Sequence, residues 1–192
     1  MQTIILLHGA IGAASQLSKL AEALGNEFQV LTFSFPGHGG RDDGGAEFSM
    51  EFFASAVLNF MDENKLDKAS VFGYSMGGYV AMYLAKHHPQ KIDKVITLAT
   101  KFHWDEAIAT NEVKMLNPDK IEQKLPAFAE SLKDMHAPID WKTLLNKTAD
   151  MLTALGQNNT LRQGDYASIT TPSLLLLGDR DKMVMLDETL AV

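Results

Sequence analysis

Gly73-Tyr74-Ser75-Met76-Gly77, with Gly78 behind it, decides how this chain is read. Ser70 to Phe72 before it reads as a short β-strand, and Tyr79 to His88 after it as a helix stopped by Pro89. A serine between glycines at a strand-to-helix junction has a steric logic. Its hydroxyl is displayed only if the backbone turns sharply, and side chains at 73 and 77 would collide with the adjoining backbone. The helix N-terminus behind Ser75 favours developing negative charge. A chance Gly-Ser-Gly turn, the bland alternative, leaves the flanking strand and helix unexplained.

Outward from this turn, strands and helices alternate. Thr3 to Leu7, Phe28 to Phe33, Ile92 to Ala99 and Ser173 to Leu177 read as strands, the last apolar on both faces. Ser15 to Leu24 carries Leu17, Leu20, Ala21 and Leu24 at helical spacing, with Gly25 as its stop. Ser49 opens a helix that runs to about Asn64. This alternation predicts an α/β fold, a mostly parallel sheet with helices on both faces. It is interrupted once, between Phe102 and Asp165, where three helices and no strand are expected. The division that follows is a core of residues 1–101 and 166–192 and an inserted helical cap of residues 102–165.

The 192 residues suit one domain with such an insertion. Hydrophobic residues at 46% and charged residues at 21% place the chain among globular rather than disordered sequences. A formal charge of −7 repels phosphate backbones, so nucleic acid is not the expected partner. The chain has no cysteine, which excludes disulfides, thiolate metal ligands and cysteine nucleophiles. No H-x-x-H or paired-carboxylate ligand set is present, so no metal site is expected. No apolar run approaches the roughly 20 residues that cross a bilayer, and the N-terminus lacks a basic region before a signal-like stretch. The expected compartment is the cytoplasm, and no membrane partner is expected. Oligomeric state is not legible.

Two further segments bear chemistry. His8-Gly9-Ala10 follows the first strand, where glycine lets the chain bend so that the Ala10 N–H faces the same crevice as Ser75. Together with the Met76 N–H it would form an oxyanion hole. His8 itself reads as structural. Gly178-Asp179-Arg180-Asp181 follows the last strand, where a carboxylate can orient a catalytic histidine. Two aspartates compete for that role, and the other is a loop residue or a cap for the helix near Leu186.

Taken together these pieces resemble the α/β-hydrolase superfamily, in particular its small, cofactor-free, serine-nucleophile members. His8-Gly9 looks like that family's oxyanion motif. Phe35-Pro36-Gly37-His38-Gly39 resembles most of its D-x-P-G-x-G loop, with Ser34 where aspartate is usual. Gly73 to Gly77 looks like the nucleophile elbow. Leu174 to Val184 resembles a strand followed by G-x-x-D-x-x-V, and that alignment selects Asp181 over Asp179. The resemblance implies the α/β-hydrolase fold, no cofactor, a small-molecule ester-type substrate and an acyl-enzyme on Ser75.

The same resemblance implies the order Ser, Asp, His, yet the six histidines, His8, His38, His87, His88, His103 and His136, all precede Asp181. His87 and His88 read as solvated, His38 as a loop residue and His136 as exposed on the cap. His103, after the strand ending at Ala99, is the remaining candidate for a substitute base and, with Trp104, for substrate contact. The expectation is therefore of a C-terminally truncated hydrolase whose four-leucine strand lies at a sheet edge. A receptor-like binding protein of the same fold and an inert fragment are the competing readings. In the cap, Trp104, Trp141, Met115, Phe128, Met135 and Met151 read mostly as helix core, some of them lining an adaptable apolar pocket. Seven basic against ten acidic residues over 102–165 offer no basic clamp for phosphorylated substrates.

Overall fold

The structure, a computed structural model, describes residues 1–192. Five parallel strands form one sheet: β1 (Gln2–Leu7), β2 (Phe28–Phe33), β3 (Ala69–Tyr74), β4 (Ile92–Leu98) and β5 (Ser173–Leu176), in the order β2-β1-β3-β4-β5. Helices α1 (Ser18–Leu24), α2 (Met50–Glu63) and α3 (Met76–His87) connect the first four strands. Both faces are covered because β1 is apolar on both. Ile5 and Leu7 join the main core with Phe53 and Val57 of α2 and Val80 and Leu84 of α3. Ile4 and Leu6 point the other way, where Leu17, Leu20 and Leu24 pack with them. Truncating a fully buried leucine such as Leu7 to alanine costs about 2–5 kcal/mol.

Local signals set the boundaries. The Ser49 hydroxyl accepts the Phe52 N–H at 3.0 Å and starts α2, where Met50, Phe53, Ala54, Val57 and Met61, all but Ala56 of its buried residues, fall on one stripe. A 3-10 turn, Ala14–Leu17, precedes α1, so the helix starts later than its leucine spacing predicts. Between β4 and β5 stand five helices rather than three: α4 (Glu106–Lys114), α5 (Pro118–Lys124), α6 (Pro126–His136), α7 (Trp141–Gln157) and the single turn α8 (Gln163–Tyr166). Proline separates α5 from α6: Pro126 is suited to open a helix, and Leu125 before it is forced out of helical geometry, at φ −135°. Ile121, Ala129, Leu132, Trp141 and Leu145 form a small core of their own in this segment, while Leu144, Met151, Leu152 and Leu155 of α7 join the main core.

β5 differs from its apolar reading in environment. It lies at the sheet edge, and Leu174 and Leu176 are 54% and 39% exposed, so one of its two apolar faces is not covered. A short helix α9 (Leu186–Leu190) follows it. Register levels the C-terminal ends of the inner strands: Leu7 pairs with Gly73, Tyr74 with Leu98, and Leu98 with Leu176. The loops after β1, β3, β4 and β5 therefore open on one rim. The chain order reverses between β1 and β3, where open α/β sheets form their ligand crevice.

Candidate active site

Ser75 occupies the turn between β3 and α3 at φ 52° and ψ −117°. A non-glycine residue there carries about 1–3 kcal/mol of strain, which the surroundings must hold. They do so on both sides of the residue. The Ser75 N–H donates to Leu98 O at 2.8 Å, and its carbonyl accepts from the Gly78 N–H at 2.9 Å and the Thr100 hydroxyl at 3.0 Å. The glycines are sterically required. A Cβ at Gly73 would lie 2.3 Å from the backbone of Gly77 and Gly78, and one at Gly77 would lie 2.5 Å from Leu7 O. Nothing in the chain hydrogen-bonds the Ser75 hydroxyl, which lines a cavity of about 480 Å³.

The cavity gathers most of the residues singled out in the sequence. Ala10, Ser75, Met76, Trp104 and Asp181 all line it. Met76 is the first residue of α3, so its N–H has no acceptor one turn back within the helix. The Ala10 N–H has no acceptor in the chain either. Asp181 sits half-buried at the rim, while Asp179 is exposed. One carboxylate oxygen, Oδ1, accepts the Met183 and Val184 N–H groups at 2.8 and 3.0 Å, which leaves Oδ2 free. The Val184 and Met183 bonds hold the Asp181 carboxyl below its ordinary value, and Lys101 pulls the same way. The remaining wall is largely apolar and includes Met115, Phe128 and Met135, whereas Trp141 and Met151 belong to the packed cores. A groove of about 590 Å³ between α5, α6 and the start of α7 contains neither Ser75 nor Asp181.

Two histidine expectations are corrected. His103 does not line the cavity: its side chain is 65% exposed and lies 3.7 Å from Asp105 in the loop leading to α4. The backbone turns its N–H onto Glu188 instead, leaving the ring in solvent. His136 is not exposed; it is fully buried, because the end of α6 folds down onto the β1 and β2 loops. There its Nδ1 accepts the Gly39 N–H at 3.0 Å and its Nε2 bonds Ile11 O at 3.1 Å. His8 is structural as expected, with Nε2 accepting the Phe35 N–H at 3.1 Å. Burial, then the neighbouring His38, pushes the His8 pKa down to about 3, and burial pushes His38 down to about 4. No histidine of these 192 residues lines the cavity.

Sequence reasoning missed Thr100 and Lys101. Both follow β4, where no motif marks them. Lys101 is 14% exposed and stands 3.8 Å from Glu112 and 3.9 Å from Glu188. Its ammonium also donates to Met183 O, so it ties the Asp181 loop to α4 and α9.

A family model described as alpha/beta hydrolase fold matches residues 2–138. The dihydrolipoyllysine-residue acetyltransferase component of an acetoin cleaving system from Cupriavidus necator is 33% identical over 164 residues, covering 81% of this chain and 44% of that protein. A putative esterase/lipase of Mycoplasma pneumoniae is 25% identical over 198 residues, covering 98% of this chain and 72% of its own length. Among solved structures, the enol-lactonase of Burkholderia xenovorans superposes with a TM-score of 0.75 at 20% identity, covering 99% of this chain and 77% of that one. The chain thus spans less than half of the Cupriavidus relative's length. With the parallel sheet, the strained serine turn and the match over residues 2–138, the chain belongs to the alpha/beta-hydrolase fold family.

Proposed function

We propose that this chain carries the core of a serine hydrolase for small, mostly apolar ester-type substrates, with residues 102–165 acting as its cap. The observation that carries this reading is the Ser75 hydroxyl, held on a strained turn and free of partners in a largely apolar cavity that Ala10, with its unpaired N–H, also lines. In the reaction, Ser75 Oγ attacks the ester carbonyl and its proton passes to a base. The Ala10 and Met76 N–H groups hold the oxyanion, the alcohol leaves, and water releases the acid from the acyl-enzyme. The free Oδ2 of Asp181 suits the partner that orients the base. The similarity to an esterase/lipase supports the class of reaction.

A second reading is a binding protein, or a catalytically incompetent fragment, of the same fold. It is favoured by the absence of any histidine at the cavity, since an unassisted serine hydroxyl is a poor nucleophile. A fluorophosphonate probe, with imidazole supplied as the base, separates the two. Covalent labelling lost in Ser75→Ala supports the hydrolase, whereas no labelling, or labelling that survives Ser75→Ala, supports the binding reading.

A further inference from the structure

Three consecutive carbonyl oxygens after β1 each face a ring nitrogen of a different buried histidine. Gly9 O lies 2.7 Å from His8 Nδ1, Ala10 O faces His38 Nε2, and Ile11 O lies 3.1 Å from His136 Nε2. The other nitrogen of each ring is turned to the segment from Phe35 to Gly39. His8 Nε2 accepts the Phe35 N–H, His38 Nδ1 faces Pro36 O at 3.0 Å, and His136 Nδ1 accepts the Gly39 N–H. The rings form a row, with centroids 5.1 Å apart from His8 to His38 and 5.9 Å from His38 to His136. All three are fully buried.

The partners fix the protons. A backbone N–H must donate, so His8 carries its proton on Nδ1 and gives it to Gly9 O, and His136 carries its proton on Nε2 and gives it to Ile11 O. His38 faces two acceptors, and its neutral ring donates to the closer one, Ala10 O. The geometric consequence lies in the Gly9–Ala10 peptide. Its carbonyl is pinned inward by His8 and by the Gly12 N–H at 3.0 Å, and a trans peptide then aims the Ala10 N–H the opposite way. The next two carbonyls are pinned in the same manner. Two of the three histidines come from the core, but His136 ends α6, a helix whose Leu132 and Met135 line the cavity. Gly40 makes this approach possible, since a Cβ there would lie 2.7 Å from Ala137 O.

We propose that His8, His38 and His136 are positioning residues for the oxyanion loop, and that His136 makes the seating of α6 a condition for the Ala10 N–H to point at the Ser75 site. The proposal rests on the serine-hydrolase reading for its kinetic consequence, though not for the loop geometry itself. Imidazole suits the task because it offers a donor and an acceptor at opposite edges of a rigid plane, so one side chain joins two backbones.

The experiment compares wild type with His136→Ala and His136→Gln in the 192-residue chain, with Ser75→Ala as the blank. Amide NMR of Gly9 to Gly12 needs no turnover. In His136→Ala the Ala10 and Ile11 amide resonances should shift, and the Gly12 amide, which belongs to the peptide His136 holds and donates to Gly9 O, should exchange at least tenfold faster; His136→Gln, which keeps a donor and an acceptor, should restore most of that protection. Nitrogen spectra of the imidazoles should show His8 protonated on Nδ1 and His136 on Nε2. With p-nitrophenyl butyrate and added imidazole, His136→Ala should lower the Ser75-dependent kcat about 10–100-fold, with KM within about threefold. Unchanged Ala10 and Ile11 shifts with unchanged Gly12 exchange, the opposite tautomers, or a loss confined to KM would overturn the proposal. A rate unaffected by Ser75→Ala would instead overturn the serine reading and leave the NMR arm to decide the loop.

Discussion

The Thr100 hydroxyl donates to the carbonyl oxygen of Ser75 at 3.0 Å, joining the end of β4 to the strained turn after β3. Thr100 also fills the space that a Cβ at Gly78 would need, since its Oγ1 lies 2.0 Å from that position. The Ser75 turn is thus braced by the neighbouring strand as well as by its own helix.

Thr100→Val keeps the shape of this buried side chain and removes the donor. The Ser75 carbonyl retains the Gly78 N–H, so the loss should be moderate, about 0.5–1.5 kcal/mol in a urea titration. Labelling of Ser75 should slow more than this loss of stability explains, because the turn is less firmly held. Equal labelling rates would show that the strand contributes nothing to the turn.

Gly77→Ala should prevent folding or cost several kcal/mol, because the new Cβ would lie 2.5 Å from Leu7 O and 2.7 Å from His8 O. Gly164→Ala, where nothing lies within 4 Å, should leave the thermal midpoint within a degree or two. Comparable midpoints for the two variants would contradict the packing described around the elbow.

With imidazole supplied as the base, Asp181→Asn should lower Ser75-dependent turnover by at least tenfold, and Asp179→Asn should leave it within twofold. The side-chain oxygen of asparagine can still accept the Met183 and Val184 N–H groups, so loss of charge rather than of loop shape is tested. The reverse order of effects would move the acid to Asp179.

Acid should destabilise the fold before its carboxylates titrate. The ordinary histidine value is 6.5, and burial holds folded His8 near 3 and His38 near 4, with His38 and His136 disfavouring the charge on His8. Asp43, paired with Lys147, acts in the opposite direction on His38. The unfolded chain therefore binds more protons than the folded one below about pH 6.5, so stability falls as pH drops through that window. Between pH 7 and 5 each of these two histidines should remove on the order of 1–2 kcal/mol. A denaturation midpoint that stays flat over that range would contradict their neutral burial.

What was legible in the sequence was local. The Gly73–Gly77 turn, the Ser49 start of α2 and the bounds of β2 depend on neighbours a few residues apart, and the glycine clashes follow from backbone geometry alone. His136 was misread because its partners, Gly39 and Ile11, lie 97 and 125 residues away, and no periodicity announces such a contact. His103 was misread for a related reason. Its place after β4 suggested the crevice, but the Phe102 and His103 N–H groups are drawn to Glu188, which turns the ring outward. Lys101 carried no motif, and only the fold brings Glu112 and Glu188 to it.

We propose Ser75 as a nucleophile whose cavity offers no histidine base among these residues. The most direct measurement is p-nitrophenyl butyrate turnover by the 192-residue chain and by Ser75→Ala while imidazole is titrated. After the Ser75→Ala rate is subtracted, the account predicts slow turnover that rises with imidazole and saturates. Identical rates for the two proteins at every imidazole concentration would contradict it.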